Sequence, residues 1–79
     1  MDKKDLCFHM VNVNTYDGGY SFMVSTTDSN ISTDEIIEKC SQKDLFTFAE
    51  DADCADTTDL VSEYDIKHFE KIGCMYNID

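Results

Sequence analysis

The order of apolar and polar residues first predicts a β-hairpin. Residues 6–14 are apolar at most positions and end in β-branched residues, which favours a strand with a buried face. An Asp-Gly pair follows, a strong hairpin signal because glycine readily adopts positive φ. Beyond it, apolar side chains at every second position alternate with serines. This pattern predicts two strands, at residues 6–14 and 20–26.

Two later segments change to helical spacing, and both begin with the same capping signal. Ser32 and Ser62 each precede an acid by three residues, the spacing of a capping box. Behind each serine, apolar residues recur at intervals that place them on one face of a helix. We therefore predict one helix that ends near Gln42 and a second over residues 63–72, with Gly73 as its left-handed C-terminal cap.

The remaining apolar segments are short and leave more than one structure open. Residues 44–48 fit either a helical turn or a short strand, and residues 74–78 fit either a short strand or a packed tail. Residues 57–61 favour a third strand, which would give the sheet the minimum size expected for independent stability. We predict a single α+β domain over residues 1–79, in the order ββαβα.

Composition adds a strong negative charge. The 79 residues include 17 acids and six cations, all of them lysine, for a formal charge of −11. Direct binding to DNA, RNA or an anionic membrane is excluded on this basis, because those surfaces require neutralising Lys and Arg. No apolar run has the length of a membrane span or the form of a signal peptide, so an intracellular location is expected.

Enzymatic and metal chemistry have weak sequence support. Cys7 with His9, and Cys74 with His68, are the candidate nucleophile–base pairs, and together they are the candidate ligands of a transition metal. No motif with a known mechanism accompanies them. We therefore expect neither an enzyme nor a cofactor. The cysteines (Cys7, Cys40, Cys54 and Cys74) form no CxxC pair and are expected to be reduced, buried apolar residues.

The acidic stretch contains Asp51 and Asp53, which resemble the start of an EF-hand calcium loop. With Asp51 at position 1 of an EF-hand, Asp53 falls at position 3 and Asp59 at position 9. Position 6 is then Asp56, where the loop requires glycine, and position 12 is Ser62 instead of glutamate. The spacing excludes an EF-hand, and a weak cation site remains an alternative.

The acids are concentrated in the second half of the chain. Residues 44–79 carry a formal charge of −8, against −3 for residues 1–43. Acids three or four residues apart on a helix have Cβ atoms about 5–6 Å apart, comparable with the charge spacing of a nucleic-acid strand. We therefore predict that the acids of this stretch contact a basic partner. They are Glu50, Asp51, Asp53, Asp56, Asp59, Glu63 and Asp65.

With these acids on a small α+β domain that lacks arginine, the chain resembles anti-CRISPR and anti-restriction proteins. Bacteriophages and mobile elements encode such proteins to block host nucleases. The resemblance is one of composition and implies no functional residue. It implies a non-enzymatic inhibitor in the bacterial cytoplasm that imitates DNA at the basic site of a nuclease complex. The alternatives are a small acidic interaction or regulatory module, binding through Tyr16, Tyr20 or Tyr76, and the weak cation-binding protein.

Overall fold

The computed structural model describes residues 5–79 and confirms a single-sheet α+β architecture. Its elements are β1 (Cys7–Thr15), β2 (Gly18–Thr26), α1 (Thr33–Gln42), a 3₁₀ helix (Ala49–Cys54), β3 (Ala55–Thr58), α2 (Glu63–Lys71) and β4 (Met75–Asn77). The strands form one mixed sheet in the order β3-β1-β2-β4. β1 is antiparallel to β2 and β3, and β4 is parallel to β2. The predicted order is followed as far as α2, and β4 adds a fourth strand.

The hairpin forms as predicted, with a difference in its turn. Thr15 pairs with Gly18, which leaves Tyr16 and Asp17 as a two-residue loop. Gly18 has φ of +124°, so the glycine that permits the turn stands at the start of β2. The register places alternate residues of both strands on one face of the sheet, as the period-2 pattern required.

The main hydrophobic core lies between one face of the sheet and α1. Val11 and Val13 of β1 are almost completely buried, and α1 adds Ile36 and Cys40. Ile36 follows the N-cap residue Ser32 by four residues and lies on the apolar face of α1. This face packs against the strands, while the polar face of the helix is exposed. The other buried members of this core are Phe22, Val24, Ile31, Phe46 and Ile78.

The opposite face of the sheet is covered in part by α2. Met23, which interrupts the serine positions of β2, points to this face and is 0% exposed. The helix contacts β2 and β4 and gives no residue to the main core. None of the α2 residues is fully buried, so this layer is thinner than the one formed by α1.

The two serine caps are present at the starts of the helices. Ser32 Oγ accepts a hydrogen bond from the Glu35 amide at 3.2 Å, and Ser62 Oγ accepts one from the Asp65 amide at 3.1 Å. Only the second box is complete, because the Asp65 carboxylate accepts from the Ser62 amide at 3.1 Å. Glu35 instead accepts from the Ser32 hydroxyl, at 3.2 Å.

Both helices end in a left-handed residue that redirects the chain. Gly73 has φ of +76°, as its position predicted, and Asp44 takes the same role after α1 with φ of +58°. Leu45 N donates to Cys40 O, and Cys74 N donates to Phe69 O, at 3.0 and 2.9 Å. These are the 6→1 bonds of a Schellman motif, which satisfy carbonyls that the helix leaves free.

The prediction of a third strand over residues 57–61 was wrong in its position. β3 covers Ala55–Thr58, and Leu60 lies outside it with 88% of its side chain exposed. Val13 and Val11 pair with Ala55 and Thr57, so small residues of β3 face the core. The Leu60 amide donates to Thr58 Oγ1 at 3.1 Å, a local turn that ends the strand.

The other ambiguous segments have different outcomes. Residues 44–48 form neither a helical turn nor a strand. Phe46 of this segment is buried in the core, and Leu45 packs against the core while partly buried. Residues 75–77 form β4, after which the Ile78 amide donates to Ser25 O at 2.9 Å. Asp79 accepts from Thr26 Oγ1 at 2.6 Å, and this bond lowers the pKa of its carboxyl group.

The cysteines occupy different environments, so the expectation that all four are buried was wrong. Cys40 is fully buried, Cys54 is exposed, and Cys7 and Cys74 lie between these extremes. All four thiols are free. Burial raises the pKa of Cys40 from 9.0 to about 11, because the thiolate would lose its hydration.

We expect Cys40 to react with iodoacetamide at least about 100-fold more slowly than Cys54 in the folded protein at pH 8. The thiolate is the reactive species. Raising the pKa of Cys40 from 9.0 to about 11 lowers the fraction of its thiol that is ionised at pH 8 by about 100-fold. Pulse labelling followed by peptide mass spectrometry measures the rates. In urea the two rates should converge, and equal rates in the native protein would contradict the placement of Cys40.

Candidate functional site

The seven predicted contact acids divide into two groups in the structure. Five are exposed and two are held by hydrogen bonds within the fold. We name the exposed group the acidic edge: Glu50, Asp53, Asp56, Asp59 and Glu63. It follows the chain from the 3₁₀ helix through β3 to the first turn of α2.

Local geometry explains why these five carboxylates reach solvent. A 3₁₀ helix has three residues per turn, so Glu50 and Asp53 lie on the same side of it. In β3, Ala55 and Thr57 pair with core residues of β1, and Asp56 between them points to the opposite face. β3 is an edge strand, because no other strand of the described residues pairs with its outer side. The acidic edge therefore lines a border of the sheet that another chain can approach.

Asp51 is a structural residue, which corrects its place among the predicted contacts. It is only 6% exposed, and its Oδ2 accepts hydrogen bonds from Tyr20 Oη at 2.7 Å and the Phe48 amide at 3.2 Å. Tyr20 Oη also accepts from the Thr47 amide at 3.0 Å. Because Tyr20 is in β2, this network fixes the 3₁₀ helix to the hairpin.

Asp65 also has a structural role. Its carboxylate completes the cap of α2 by accepting from the Ser62 amide, and its own amide donates to Ser62 Oγ. It is partly buried at this position. A carboxylate in the first turn also interacts favourably with the helix dipole. Asp65 therefore stabilises the start of α2, and the neighbouring Glu63 is the exposed acid there.

A groove adjoins the acidic edge, between the hairpin loop and the 3₁₀ helix. Its volume is about 480 Å³. The side chains that define it are two exposed aromatic residues, Tyr16 and Phe48, and two exposed acids, Asp17 and Glu50. Asp51 and Tyr20 line its inner part. Tyr16 and Tyr20 were candidate interface residues from the sequence, whereas Phe48 and this groove are evident only in the structure.

The candidate catalytic and metal-binding residues lie in β1, in α2 and just before β4. Cys7 and His9 lie on the same face of β1, where both are partly buried. His68 is exposed on α2, and its ring stacks on that of Tyr64 with the centroids 6.4 Å apart. Cys74 directly precedes β4. Within residues 5–79, no three His, Cys, Asp or Glu side chains are grouped so that they could hold a metal ion.

Tyr76, the third tyrosine considered for binding, is part of the fold. It is 36% exposed, and its ring packs edge-to-face against Phe22 with centroids 5.7 Å apart. Tyr16 is the tyrosine that is fully exposed, and Tyr20 is committed to Asp51.

Comparison of the chain with protein-family models, curated proteins and solved structures found no match. Neither α-helix in the described part of the chain has the length and apolar character needed to cross a membrane.

Proposed function

We propose that this protein is a non-enzymatic inhibitor whose acidic edge occupies the basic nucleic-acid-binding site of a host defence nuclease. The proposal places it in the bacterial cytoplasm and in the manner of phage anti-CRISPR proteins. The observation that carries it is the group of five exposed carboxylates along one border of the sheet. The acids that have structural roles, Asp51 and Asp65, are excluded from this contact surface.

The size of the charge supports a binding role. A formal charge of −11 exceeds the magnitude of about 2–8 that keeps a small domain soluble. Like charges on one surface repel one another and destabilise the fold, so a basic partner that neutralises them gains affinity. The positive groove of a nuclease provides such a surface, because it must neutralise the phosphates of its substrate.

The border that carries these acids supports the same interpretation. β3 has four residues, and within residues 5–79 no strand pairs with its outer side. Such an edge can pair with a strand of another molecule. Charged residues beside it disfavour pairing with a second copy of this acidic chain. They favour approach by a surface that carries Lys and Arg. The acidic edge therefore combines repulsion of its own kind with attraction of a basic partner.

We expect neutralisation of the acidic edge to weaken inhibition by about tenfold or more, since each exposed ion pair contributes about 0.2–1 kcal/mol. The test variant combines Asp53→Asn, Asp56→Asn, Asp59→Asn and Glu63→Gln. A charge-matched control combines Asp5→Asn, Asp34→Asn, Glu38→Gln and Glu70→Gln, four exposed acids elsewhere. Because net charge changes equally, a difference between the variants reports position.

The assay begins with capture of partners from a bacterial lysate at about 0.1 M and about 1 M salt, which reduces the screening length from about 10 to about 3 Å. The captured protein is identified and purified, and its cleavage of duplex DNA is measured with each variant. The proposal requires that the wild type blocks DNA binding and that excess duplex DNA displaces it. Inhibition that is equally strong with both variants would falsify it.

A small interaction module is the second candidate, favoured by the exposure of Tyr16, Phe48 and Leu60. Apolar contacts depend little on ionic strength, whereas ion pairs at a surface are screened. A partner that stays bound at about 1 M salt and tolerates the neutralised edge therefore indicates this second function. Light scattering at both salt concentrations checks that the neutralised variant has the same mass in solution as the wild type.

A further inference from the structure

The groove beside the acidic edge has two aromatic walls. Tyr16 lies in the hairpin loop and is fully exposed. Phe48 is the N-cap residue directly before the 3₁₀ helix, and 62% of its surface is exposed. Both line the same cavity of about 480 Å³, a size within the range of small-ligand sites. Exposed aromatic residues that line a groove offer apolar and π surface to a ligand that enters it.

All the ionisable side chains that line the groove, other than tyrosines, are carboxylates. Asp17 lies at the loop and Glu50 on the 3₁₀ helix, while Asp51 reaches the groove from below. No lysine or histidine lines it in the part of the chain that the structure describes. A ligand that enters therefore meets negative charge on both sides, and a cationic group fits this field best.

Asp51 lies at the floor of the groove, where its carboxylate is engaged within the fold. Its two hydrogen bonds, from Tyr20 Oη and the Phe48 amide, are both made to Oδ2. Asp51 is therefore part of the frame that holds the 3₁₀ helix against the hairpin beside the groove. The carboxylates that remain accessible to a ligand are those of Asp17 and Glu50, which line the groove and are exposed.

From this arrangement we propose that the groove is a subsite for an arginine side chain of the partner protein. A guanidinium group stacks on an aromatic ring through its flat face and donates several hydrogen bonds in its plane to carboxylates. Tyr16 and Phe48 supply the rings, and the exposed carboxylates of Asp17 and Glu50 supply the acceptors. Lysine has a rounded, strongly hydrated charge and gains less from this combination.

The subsite deepens the proposed function and rests on it, because it names one anchor of the same basic partner. Glu50 belongs both to the acidic edge and to the groove, so the two surfaces are continuous. The edge would steer a basic surface by long-range attraction, and the groove would hold one of its arginines in a defined position.

The test uses three blocked tripeptides, Gly-Arg-Gly, Gly-Lys-Gly and Gly-citrulline-Gly, titrated into the ¹⁵N-labelled protein at about 0.15 M salt. Citrulline has nearly the shape of arginine and no charge. We expect amide shifts centred on residues 16–19 and 48–51, with arginine binding more tightly than lysine and citrulline not binding. Tyr16→Ala or Phe48→Ala should each weaken arginine binding by about two- to five-fold, the loss expected for one exposed cation–π contact. Tyr64→Ala, an exposed aromatic on α2 outside the groove, should have no effect.

Several results would overturn the subsite. They are shifts confined to the remainder of the acidic edge, equal binding of the citrulline peptide, or unchanged arginine affinity in both groove variants. The four-acid edge variant described above keeps Glu50 and the whole groove, so it should still bind the arginine peptide. The edge variant could fail to bind the nuclease while Tyr16→Ala and Phe48→Ala bind the nuclease with full affinity. In that case the subsite fails and the proposed function stands. If the edge variant inhibits like its charge-matched control but binds arginine in the groove, the proposed function fails and arginine recognition stands.

Discussion

Replacing Asp51 by alanine is expected to lower the free energy of unfolding by about 2–4 kcal/mol. The carboxylate is buried and accepts hydrogen bonds from Tyr20 Oη and the Phe48 amide. Its removal leaves both donors without an acceptor, and each unsatisfied buried group costs about 1–3 kcal/mol. A chain of this length has a total stability of about 4–12 kcal/mol, so the loss is a large fraction.

Urea denaturation followed by circular dichroism measures this change. Asp53→Ala is the matched control, because it removes an exposed acid from the same 3₁₀ helix and should change stability by less than about 0.5 kcal/mol. Tyr20→Phe removes one donor of the pair and should cost about 1 kcal/mol. Equal stabilities of the Asp51 and Asp53 variants would contradict the structural role assigned to Asp51.

Replacing Gly19 by alanine is expected to destabilise the hairpin by about 1–3 kcal/mol. A Cβ atom at this position would overlap the carbonyl oxygen of Val13 on the neighbouring strand. That oxygen belongs to the backbone of β1, so relief requires a shift of the paired strands, as for an overpacked core. Val13 is itself in the core, and the shift would reach its packing.

The same denaturation experiment tests Gly19→Ala against Asn14→Ala. Asn14 pairs directly with Gly19 across the hairpin and is exposed, so its truncation leaves backbone and core in place. We expect the midpoint to fall clearly for Gly19→Ala and to change little for Asn14→Ala. If the Gly19 variant keeps wild-type stability, β1 and β2 approach less closely at this point than the structure places them.

Both substitutions also bear on the proposed arginine subsite. Asp51 holds the 3₁₀ helix to β2, and Gly19 allows β1 and β2 to pair beside the hairpin loop. The 3₁₀ helix and the hairpin are the two sides of the groove. Loss of arginine binding in either variant therefore follows from loss of the groove, and the exposed residues Tyr16 and Phe48 are the ones that test recognition.

Signals within a few residues of each other predicted much of the fold. The Asp-Gly pair and the alternating apolar residues predicted the hairpin, and the serine caps located the starts of α1 and α2. Gly73 marked the end of α2, because a left-handed C-terminal cap depends only on local backbone geometry. These features could be read from the sequence because their free energy depends mainly on neighbouring residues.

Strand boundaries outside the hairpin could not be read in this way. β3 has four residues and β4 has three, too few for a periodic pattern. The limits of β3 depend on its register with β1, which places Ala55 against Val13. β4 is defined by pairing with the outer side of β2. Pairing partners distant in sequence decided both strands, so apolar residues such as Leu60 gave a misleading signal.

By itself, the sequence determined the charge of −11, the absence of arginine and the concentration of acids after residue 43. These follow from composition and do not depend on the fold. Only the tertiary structure distinguished Asp51 from Asp53, because the difference lies in contact with Tyr20, 31 residues away along the chain. It also brought Tyr16 and Phe48 to one groove. Carboxylates with the same chemistry acquire different roles through burial and hydrogen-bond partners, and those are set by packing between distant segments.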